Sequence, residues 1–233
     1  MGSRRAVKAA VPERHDEAMP AWQRRSVNRS LQSAHARAQA RSNRFVTAAT
    51  KLLEERGNIE FTVQDVVERS RMSIRTFYKY FGGKEDLLVA LYETVIARDT
   101  VPRLRKRIEK HKDPLQGLKA YIECLIELTT QTEPAAVRTL VSYGNRLAVS
   151  RPADLARAMK PQFDLLAELI RASSRTEPLR KGLTVETAAR LTQHTVLAAV
   201  HGRVLGSDES LDLSAATIWE FCAGGLGFDV TNG

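Results

Sequence analysis

Residues 62–88 have the sequence TVQDVVERSRMSIRTFYKYFGGKEDLL, and this stretch decides the fold. Thr62 followed by Asp65 has the pattern of a capping box, which predicts that a helix begins at Thr62. Ser73 is a favoured N-cap residue and predicts a second, short helix after a tight turn. Gly82 and Gly83 end that helix. Two helices joined by a three-residue turn have the spacing of a helix-turn-helix.

The second of these helices, over residues 73–81, has two different faces when it is projected at about 100° per residue. One face is apolar and is predicted to pack on the core: Ile74, Phe77, Tyr78 and Phe81. The other combines cations with hydroxyl groups: Arg75, Thr76, Lys79 and Tyr80. Such side chains suit phosphate oxygens and base edges in a DNA major groove. The alternative interpretation is a solvated basic face on a small three-helix unit.

Lys84 opens the next predicted helix and supports the DNA interpretation independently. A cation in a first helical turn opposes the helix dipole and costs about 0.3–1 kcal/mol. A bound anion would offset this cost, because backbone N–H groups and the ammonium would hold it together. A DNA phosphate is such an anion.

From about Arg44 to Tyr92 the sequence resembles the DNA-binding domain of the tetracycline-repressor-like (TetR) family. Residues 62–67, 73–81 and 84–88 carry the resemblance, as three motifs in the expected order. The resemblance implies a homodimeric transcriptional repressor that binds a palindromic operator and is released from it by a small molecule. The predicted DNA-binding side chains are Arg44, Thr62, Ser73, Arg75, Thr76, Tyr78, Lys79, Tyr80 and Lys84.

Position 71 departs from the family pattern, which usually has glycine in the turn where this chain has Arg71. If this residue is left-handed, arginine carries a backbone cost of about 1 kcal/mol. Alternatively, Arg71 provides an extra phosphate contact. The sequence leaves both interpretations open.

The distribution of charge sharpens this interpretation. The chain has a formal net charge of +9, of which residues 1–44 contribute +7. Within residues 69–84, five cations and no acid occur: Arg69, Arg71, Arg75, Lys79 and Lys84. The positive charge is therefore concentrated in the N-terminal region and around the helix-turn-helix.

Residues 1–40 are predicted to form a basic extension, with residues 1–28 as a tail without regular structure. Beyond the tail, a helix through residues 45–53 is predicted to end at Gly57. If this helix extends backwards from Phe45, one face collects arginines: Arg29, Arg37, Arg41 and Arg44. Two hypotheses stay open for the extension. It contacts the DNA backbone, with Arg4 and Arg5 in a minor groove, or it is a solvated tail that binds nothing.

The rest of the chain predicts an all-α protein, because no alternating strand pattern or hairpin signal occurs. The predicted helical segments are 115–131, 134–149, 161–175, 184–205 and 214–224, divided by prolines. Residues 41–92 are predicted to be the helix-turn-helix domain, and residues 93–233 a larger helical domain for ligand binding and dimerisation.

The segment 184–205 is apolar nearly all round, which predicts burial on several sides. With 214–226 it is expected to form a symmetric four-helix interface through Val196, Ala199, Val200, Ile218, Trp219 and Cys222. The alternative is an ordinary monomeric core.

A largely apolar inducer is expected to be enclosed by side chains of the larger domain. The candidate set is Tyr121, Leu125, Leu140, Tyr143, Arg146, Phe163, Leu166, Ile170 and His194. The competing interpretation is that these residues are simply core.

Other function classes find little support in the sequence. No phosphate-binding loop, nucleophile elbow or metal-ligand spacing occurs, so we expect no enzyme activity, cofactor or metal. No apolar run approaches the roughly 20 residues that span a bilayer, and no secretory signal is visible. With only two cysteines, a cytoplasmic protein is expected. The alternatives are a DNA-binding regulator without an inducer and a sequence-tolerant nucleic-acid-binding protein driven by the basic tail.

Overall fold

The structure, a computed structural model, describes residues 20–131, 134–206 and 214–229, and of residues 129–131 and 134 only the backbone. The helices are α1 Ala21–Arg56, α2 Val63–Ser70, α3 Ile74–Tyr80, α4 Lys84–Thr94, a π-helical segment Val95–Thr100, α5 Val101–Ile108, α6 Pro114–Gln131, α7 Pro134–Ser150, α8 Pro152–Ser173, α9 Val185–Leu205 and α10 Ala215–Leu226. These described ranges contain no strand, which confirms the predicted all-α class. The chain divides between Asn43 and Arg44 into two units, which we describe separately.

The first unit contains the N-terminal part of α1, Ala21–Asn43. The prediction of an irregular tail is wrong for residues 21–28, which are helical. The segment is rich in alanine, arginine and glutamine, which favour helix, and contains no glycine or proline. It buries none of its side chains, so it lacks the apolar period on which the prediction relied. Arg4 and Arg5 lie outside the described residues.

In the second unit, the C-terminal part of α1 buries one face through Phe45, Ala49 and Leu53. It ends at Gly57, as predicted, in the left-handed conformation with φ +66°. A Cβ atom at Gly57 would lie 2.6 Å from the Cβ of Ala135, so glycine is needed for space as well as for conformation.

Residues 45–91 form one hydrophobic cluster, around Phe45, Phe61 and Phe77. Helix α7 joins this cluster through Ala136, Tyr143 and Leu147. A second cluster contains buried side chains from residues 96 to 228 and includes the fully buried Tyr121. Since α4 continues through the π-helical segment into α5, separate domains over residues 41–92 and 93–233 stay a prediction.

Helix α8 corrects one predicted boundary. A helix was expected to begin at Pro161, but α8 runs from Pro152 to Ser173 with Pro161 inside it. Proline removes one backbone hydrogen bond and disfavours a helix interior. Burial of Ala158 before it and of Leu165 and Ile170 after it stabilises the continuous helix.

Candidate nucleic-acid interface

The predicted capping box fixes the start of α2. The Asp65 N–H donates to Thr62 Oγ1 at 3.1 Å, and the Thr62 N–H donates to Asp65 Oδ2 at 2.6 Å. Arg56 donates to the same carboxylate, with 3.1 Å between Nη2 and Oδ1. These hydrogen bonds, that of Arg56 foremost, hold the pKa of Asp65 well below its usual range. Although Thr62 is in the predicted DNA-binding set, its hydroxyl is engaged as a helix cap.

The turn between α2 and α3 depends on Arg71. Its backbone is left-handed, with φ 54° and ψ 42°, and its N–H donates to the Glu68 carbonyl at 3.1 Å. The next N–H, of Met72, donates to the Val67 carbonyl at 3.3 Å. Both bonds satisfy carbonyls at the end of α2, and the turn then enters α3 at Ser73. Because Arg71 is left-handed, it carries the backbone cost expected for a residue with a Cβ in this conformation.

Helix α3 exposes a different face from the one that the projection predicts. Phe77 and Phe81 are buried, with T-shaped contacts to Phe45 at ring-centroid distances of 5.5 and 6.2 Å. The projection placed Ile74 and Tyr78 in the core, but they are 47% and 57% exposed. For Tyr78, this exposure agrees with its place in the predicted DNA-binding set.

Tyr80, predicted on the DNA face, is partly buried against the same cluster, and Thr76 is half-buried. The buried edge of α3 is thus rotated toward Tyr80. The reason is that this short helix packs through one narrow edge on Phe45, so that two apolar residues are left outside. The exposed side chains are Ser73, Ile74, Arg75, Tyr78 and Lys79. The sequence did not place Ile74 on the exposed face of α3, because its apolar character assigned it to the core.

Four of the five cations around this face have no carboxylate within 4.0 Å among the described residues: Arg71, Arg75, Lys79 and Lys84. The fifth, Arg69, forms an ion pair with Glu55. Arg44, also predicted to bind DNA, donates from Nη2 to the Ser70 carbonyl at 2.9 Å and so supports the end of α2. The uncompensated charge lies on the turn, on α3 and at the start of α4.

Lys84 is the first residue of α4, after the N-cap Gly83, and its Nζ lies 5.3 Å from the centre of the Phe61 ring. Asp86 in the same turn accepts a hydrogen bond from the Gly82 N–H at 2.9 Å. Arg151 Nη1 donates to the other oxygen of this carboxylate at 2.8 Å and is the main reason why the pKa of Asp86 is lowered. The segment that follows α3 is therefore tied to the corner between α7 and α8.

Comparison with known proteins identifies this arrangement. Residues 45–91 match the family model described as bacterial regulatory proteins, tetR family. The HTH-type transcriptional regulator HbdR of Aromatoleum sp. (strain CIB) is 30% identical over 79 residues. This alignment spans 34% of this chain and 34% of HbdR, so only about a third of this relative's length is matched. Over residues 45–91 the chain is therefore similar to the TetR family.

Solved structures with the same fold cover most of this chain. The regulator FadR from Bacillus subtilis, in complex with stearoyl-CoA, has a TM-score of 0.60 at 19% identity, covering 78% of this chain and 97% of FadR. RolR in complex with resorcinol has a TM-score of 0.65 at 18% identity, covering 84% of this chain and 91% of RolR. At these identities the similarity shows the fold alone.

The residues predicted to form the dimer interface are buried within the protomer itself. This holds for the whole set: Val196, Ala199, Val200, Ile218, Trp219 and Cys222. They pack in the second cluster because α9 and α10 present their most continuous apolar faces to α6 and α8. The outward face carries other apolar side chains: Leu191, Ala198 and Leu205 on α9, and Phe221 on α10.

The predicted inducer residues fall into two groups. One belongs to the second cluster: Tyr121, Leu125, Phe163, Leu166 and Ile170. Leu140 and Tyr143 instead pack with the helix-turn-helix, and His194 is exposed. Arg146 binds Glu85 of α4 with 3.1 Å between Nη2 and Oε1, and its guanidinium lies over the Tyr143 ring.

Two buried polar atoms lack a hydrogen-bond partner among the described residues, Tyr143 Oη and Gln193 Nε2. Burial raises the pKa of Tyr143 to about 12. Gln193 was not among the residues predicted from the sequence, which included its neighbour His194. An amide on a helix gives no sequence signal that separates a buried polar contact from a solvated one.

Two further structural findings bear on alternative functions. No helix among the described residues is long and apolar enough to cross a membrane. Within the same residues, no cluster of three or more His, Cys, Asp or Glu side chains could hold a metal ion.

Proposed function

We propose that this chain is a transcriptional regulator of the bacterial cytoplasm, not an enzyme, and that it inserts α3 into the major groove of operator DNA. One observation carries the proposal: the exposed face of α3 combines uncompensated cations with polar and apolar tips, while its opposite edge is fixed to Phe45. A rigid helix with such a face can position side chains against base edges without the entropic cost of ordering itself first.

The contacts divide by chemistry. Arg75 is suited to the O6 and N7 acceptors of guanine, and Ile74 to the methyl group of thymine. Lys79, Tyr78 and Lys84 are suited to phosphates, which fix the position of the helix but do not read sequence. The Ser73 hydroxyl is 2.8 Å from Thr76 Oγ1 and also accepts from the Thr76 N–H, so we assign both residues to the cap rather than to base contacts.

The proposal includes a homodimer on a palindromic operator. Leu191, Ala198 and Leu205 recur every seven residues on α9, which places them on one stripe of the helix. Together with Phe221, which is 69% exposed, they form an apolar face that a second copy would cover by two-fold symmetry. The two α3 helices would then enter successive major grooves, about 34–36 Å apart.

We also propose that a small molecule releases this chain from its operator DNA. FadR and RolR were solved with stearoyl-CoA and resorcinol, and a small-molecule effector for this chain is the corresponding proposal. The orphaned Tyr143 Oη and Gln193 Nε2 support it, because a buried polar atom without a partner costs about 1–3 kcal/mol that a ligand's polar group would recover.

Helix α7 offers the route by which such a ligand would act on DNA binding. Its Tyr143 and Leu147 pack in the hydrophobic cluster formed by residues 45–91, and its Arg146 binds Glu85 of α4. Displacement of α7 by a ligand would therefore change the position of α4 and α3. Coupling of this kind is typically about 1–3 kcal/mol, or 5–150-fold in affinity.

The decisive experiment is selection of bound duplexes from a random pool, followed by affinity measurements on the selected operator and on unrelated DNA. Ile74→Ser and Arg75→Gln should each reduce the affinity for operator by about 1–3 kcal/mol. The affinity for unrelated DNA should stay nearly unchanged in Ile74→Ser and fall only slightly in Arg75→Gln. Lys79→Gln is the matched control and should weaken both to the same degree. Failure to enrich any sequence would favour the sequence-tolerant nucleic-acid-binding protein.

An effector is tested separately, by a thermal-shift screen of small molecules that includes acyl-CoA esters and phenols. A ligand that binds only the native state raises the melting temperature. A hit should also weaken operator binding. If operator binding is specific and no compound acts on it, the regulator without an inducer is the better description.

A further inference from the structure

The N-terminal part of α1, Ala21–Asn43, is a helix whose charge is entirely positive. No acidic residue occurs between Glu17 and Glu54, while this segment carries Arg24, Arg25, Arg29, Arg37 and Arg41. Every one of these arginines is exposed. At about 1.5 Å per residue the segment is roughly 34 Å long, about the length of one turn of B-DNA.

The positions of these charges oppose a helix that stands alone. Arg24 and Arg25 lie in the first turn, where cations oppose the helix dipole and where no acid occurs. Arg25 and Arg29, and again Arg37 and Arg41, are like-charge pairs four residues apart, each destabilising by about 0.2–0.5 kcal/mol. Without any acid, the segment has no ion pair of its own to compensate. An anionic surface would offset these penalties for the arginines that face it.

The arginines also favour one side. Projected at about 100° per residue, Arg25, Arg29, Arg37 and Arg41 occupy less than half of the circumference, and Trp22 lies among them. Arg24 lies on the opposite side. We define the first four as the arginine face of the extension.

We propose that the arginine face binds the phosphate backbone of double-stranded DNA, as a contact separate from that of α3. The inference rests on the proposed DNA-binding function for the identity of its polyanion. Guanidinium groups pair with phosphate oxygens and hold the helix by charge, without reading sequence. Its contribution is affinity on any duplex.

A membrane surface is the competing anionic partner, and the distribution of side chains disfavours it. A helix that lies in a membrane interface segregates large apolar residues on the face opposite its cations. Here that opposite side has Val27 and Leu31 as its only large apolar residues, and Trp22, the largest, lies on the arginine face. The segment lacks the apolar area that a membrane-bound helix buries.

Trp22 provides a direct reporter of the proposed contact. The chain has two tryptophans, of which Trp22 is 63% exposed and Trp219 is 5% exposed. In the full-length protein, the neutral quencher acrylamide should quench mainly Trp22. Adding a 40-base-pair duplex should protect Trp22, whereas vesicles of phosphatidylserine and phosphatidylcholine should not. The Trp22→Phe variant confirms that the quenchable signal belongs to this residue.

Affinity measurements give the second readout, with Arg29→Gln tested against Arg24→Gln. Both remove one charge from the same helix, and glutamine keeps a helix propensity close to that of arginine. Arg29→Gln should make the negative slope of log K against log salt shallower by about 0.9 for each phosphate that is no longer neutralised. Arg24→Gln should leave this slope unchanged. The affinity at 50 mM salt exceeds the affinity at 200 mM salt by a factor that grows with the number of neutralised phosphates. Replacing all four residues of the arginine face by glutamine should make this factor about a hundredfold smaller per protomer.

Several results would overturn this inference: equal effects of the two single substitutions, no protection of Trp22 by DNA, or stronger protection by the vesicles. The proposed function fails differently. If Arg75→Gln leaves sequence preference unchanged while DNA still protects Trp22, specific readout by α3 is wrong and the extension contact stands.

Discussion

The left-handed turn at Arg71 provides the sharpest test of the local energetics. A residue with a Cβ at φ 54° and ψ 42° is disfavoured by about 1–2 kcal/mol, and glycine is not. Glycine in turn loses about 0.4–1 kcal/mol through the greater entropy of the unfolded chain. We therefore expect Arg71→Gly to stabilise the native protein by about 0.5–1 kcal/mol, or about 1–4 °C in melting temperature.

Arg71→Ala is the matched control, because it removes the same guanidinium and keeps the left-handed cost. Urea unfolding followed by circular dichroism should place the glycine variant above the alanine variant by about 1 kcal/mol in free energy of unfolding. If alanine is as stable as glycine or more stable, the turn carries no backbone cost and the strain assigned to Arg71 is refuted.

The same pair tests the second interpretation of Arg71. If its guanidinium contacts a phosphate, both variants should bind DNA more weakly and with a salt slope smaller by about 0.9 for each phosphate that the arginine neutralises. If both bind as tightly as the original chain, the extra contact does not exist. A more stable glycine variant with weaker DNA binding would mean that the chain tolerates the backbone cost for the sake of the contact.

Three further outcomes are expected. Replacing Thr62 by alanine should cost about 1 kcal/mol in free energy of unfolding, and Thr62→Ser should restore most of it, because both hydroxyls cap α2. The pKa of Asp86 is lowered in the folded state by Arg151, so its stabilising contribution is complete above the unfolded pKa near 4 and is lost as pH falls below that value; Asp86→Asn should flatten this acid limb of a pH–stability profile. In sedimentation experiments, Phe221→Lys should give monomers, whereas Val149→Lys, at a position 87% exposed on α7, should not.

Local chemistry was predictable where one residue type has one strong role. The capping box of Thr62 and Asp65, the N-cap Ser73 and the stop at Gly57 are all confirmed, because each satisfies backbone groups within a few residues. The same holds for the all-α class. These features depend on neighbours in sequence and hence need no tertiary information.

Features that depend on tertiary packing were harder to predict from the sequence. Projection of α3 could not tell which part of a broad apolar arc would meet Phe45, so Ile74 and Tyr78 were misplaced. The most apolar positions of α9 and α10, such as Val196 and Trp219, fill the core of the protomer itself. The interface between copies that we propose would use the apolar residues that remain exposed, and sequence alone does not separate these from the core.

Ion pairs across long separations were missed for a related reason. Arg146 binds Glu85, 61 residues away, and nothing in the sequence indicated this contact. Its predicted place in a ligand site stays a prediction. Arg151 and Asp86 are 65 residues apart. Exposed arginines are common, and nothing in a single sequence says which one will meet which acid.

The packing of α7 in the same hydrophobic cluster as residues 45–91 has a consequence for exchanging this part of the chain. Excising residues 44–92 would leave the apolar surface under Ala136, Tyr143 and Leu147 uncovered on one fragment and their partners uncovered on the other. A chimaera that exchanges only the helix-turn-helix would place α7 against foreign side chains. If α3 reads DNA as proposed, a new operator preference should therefore arise more readily by substitutions on the outer face of α3, such as those at Ile74 and Arg75, than by exchange of residues 44–92.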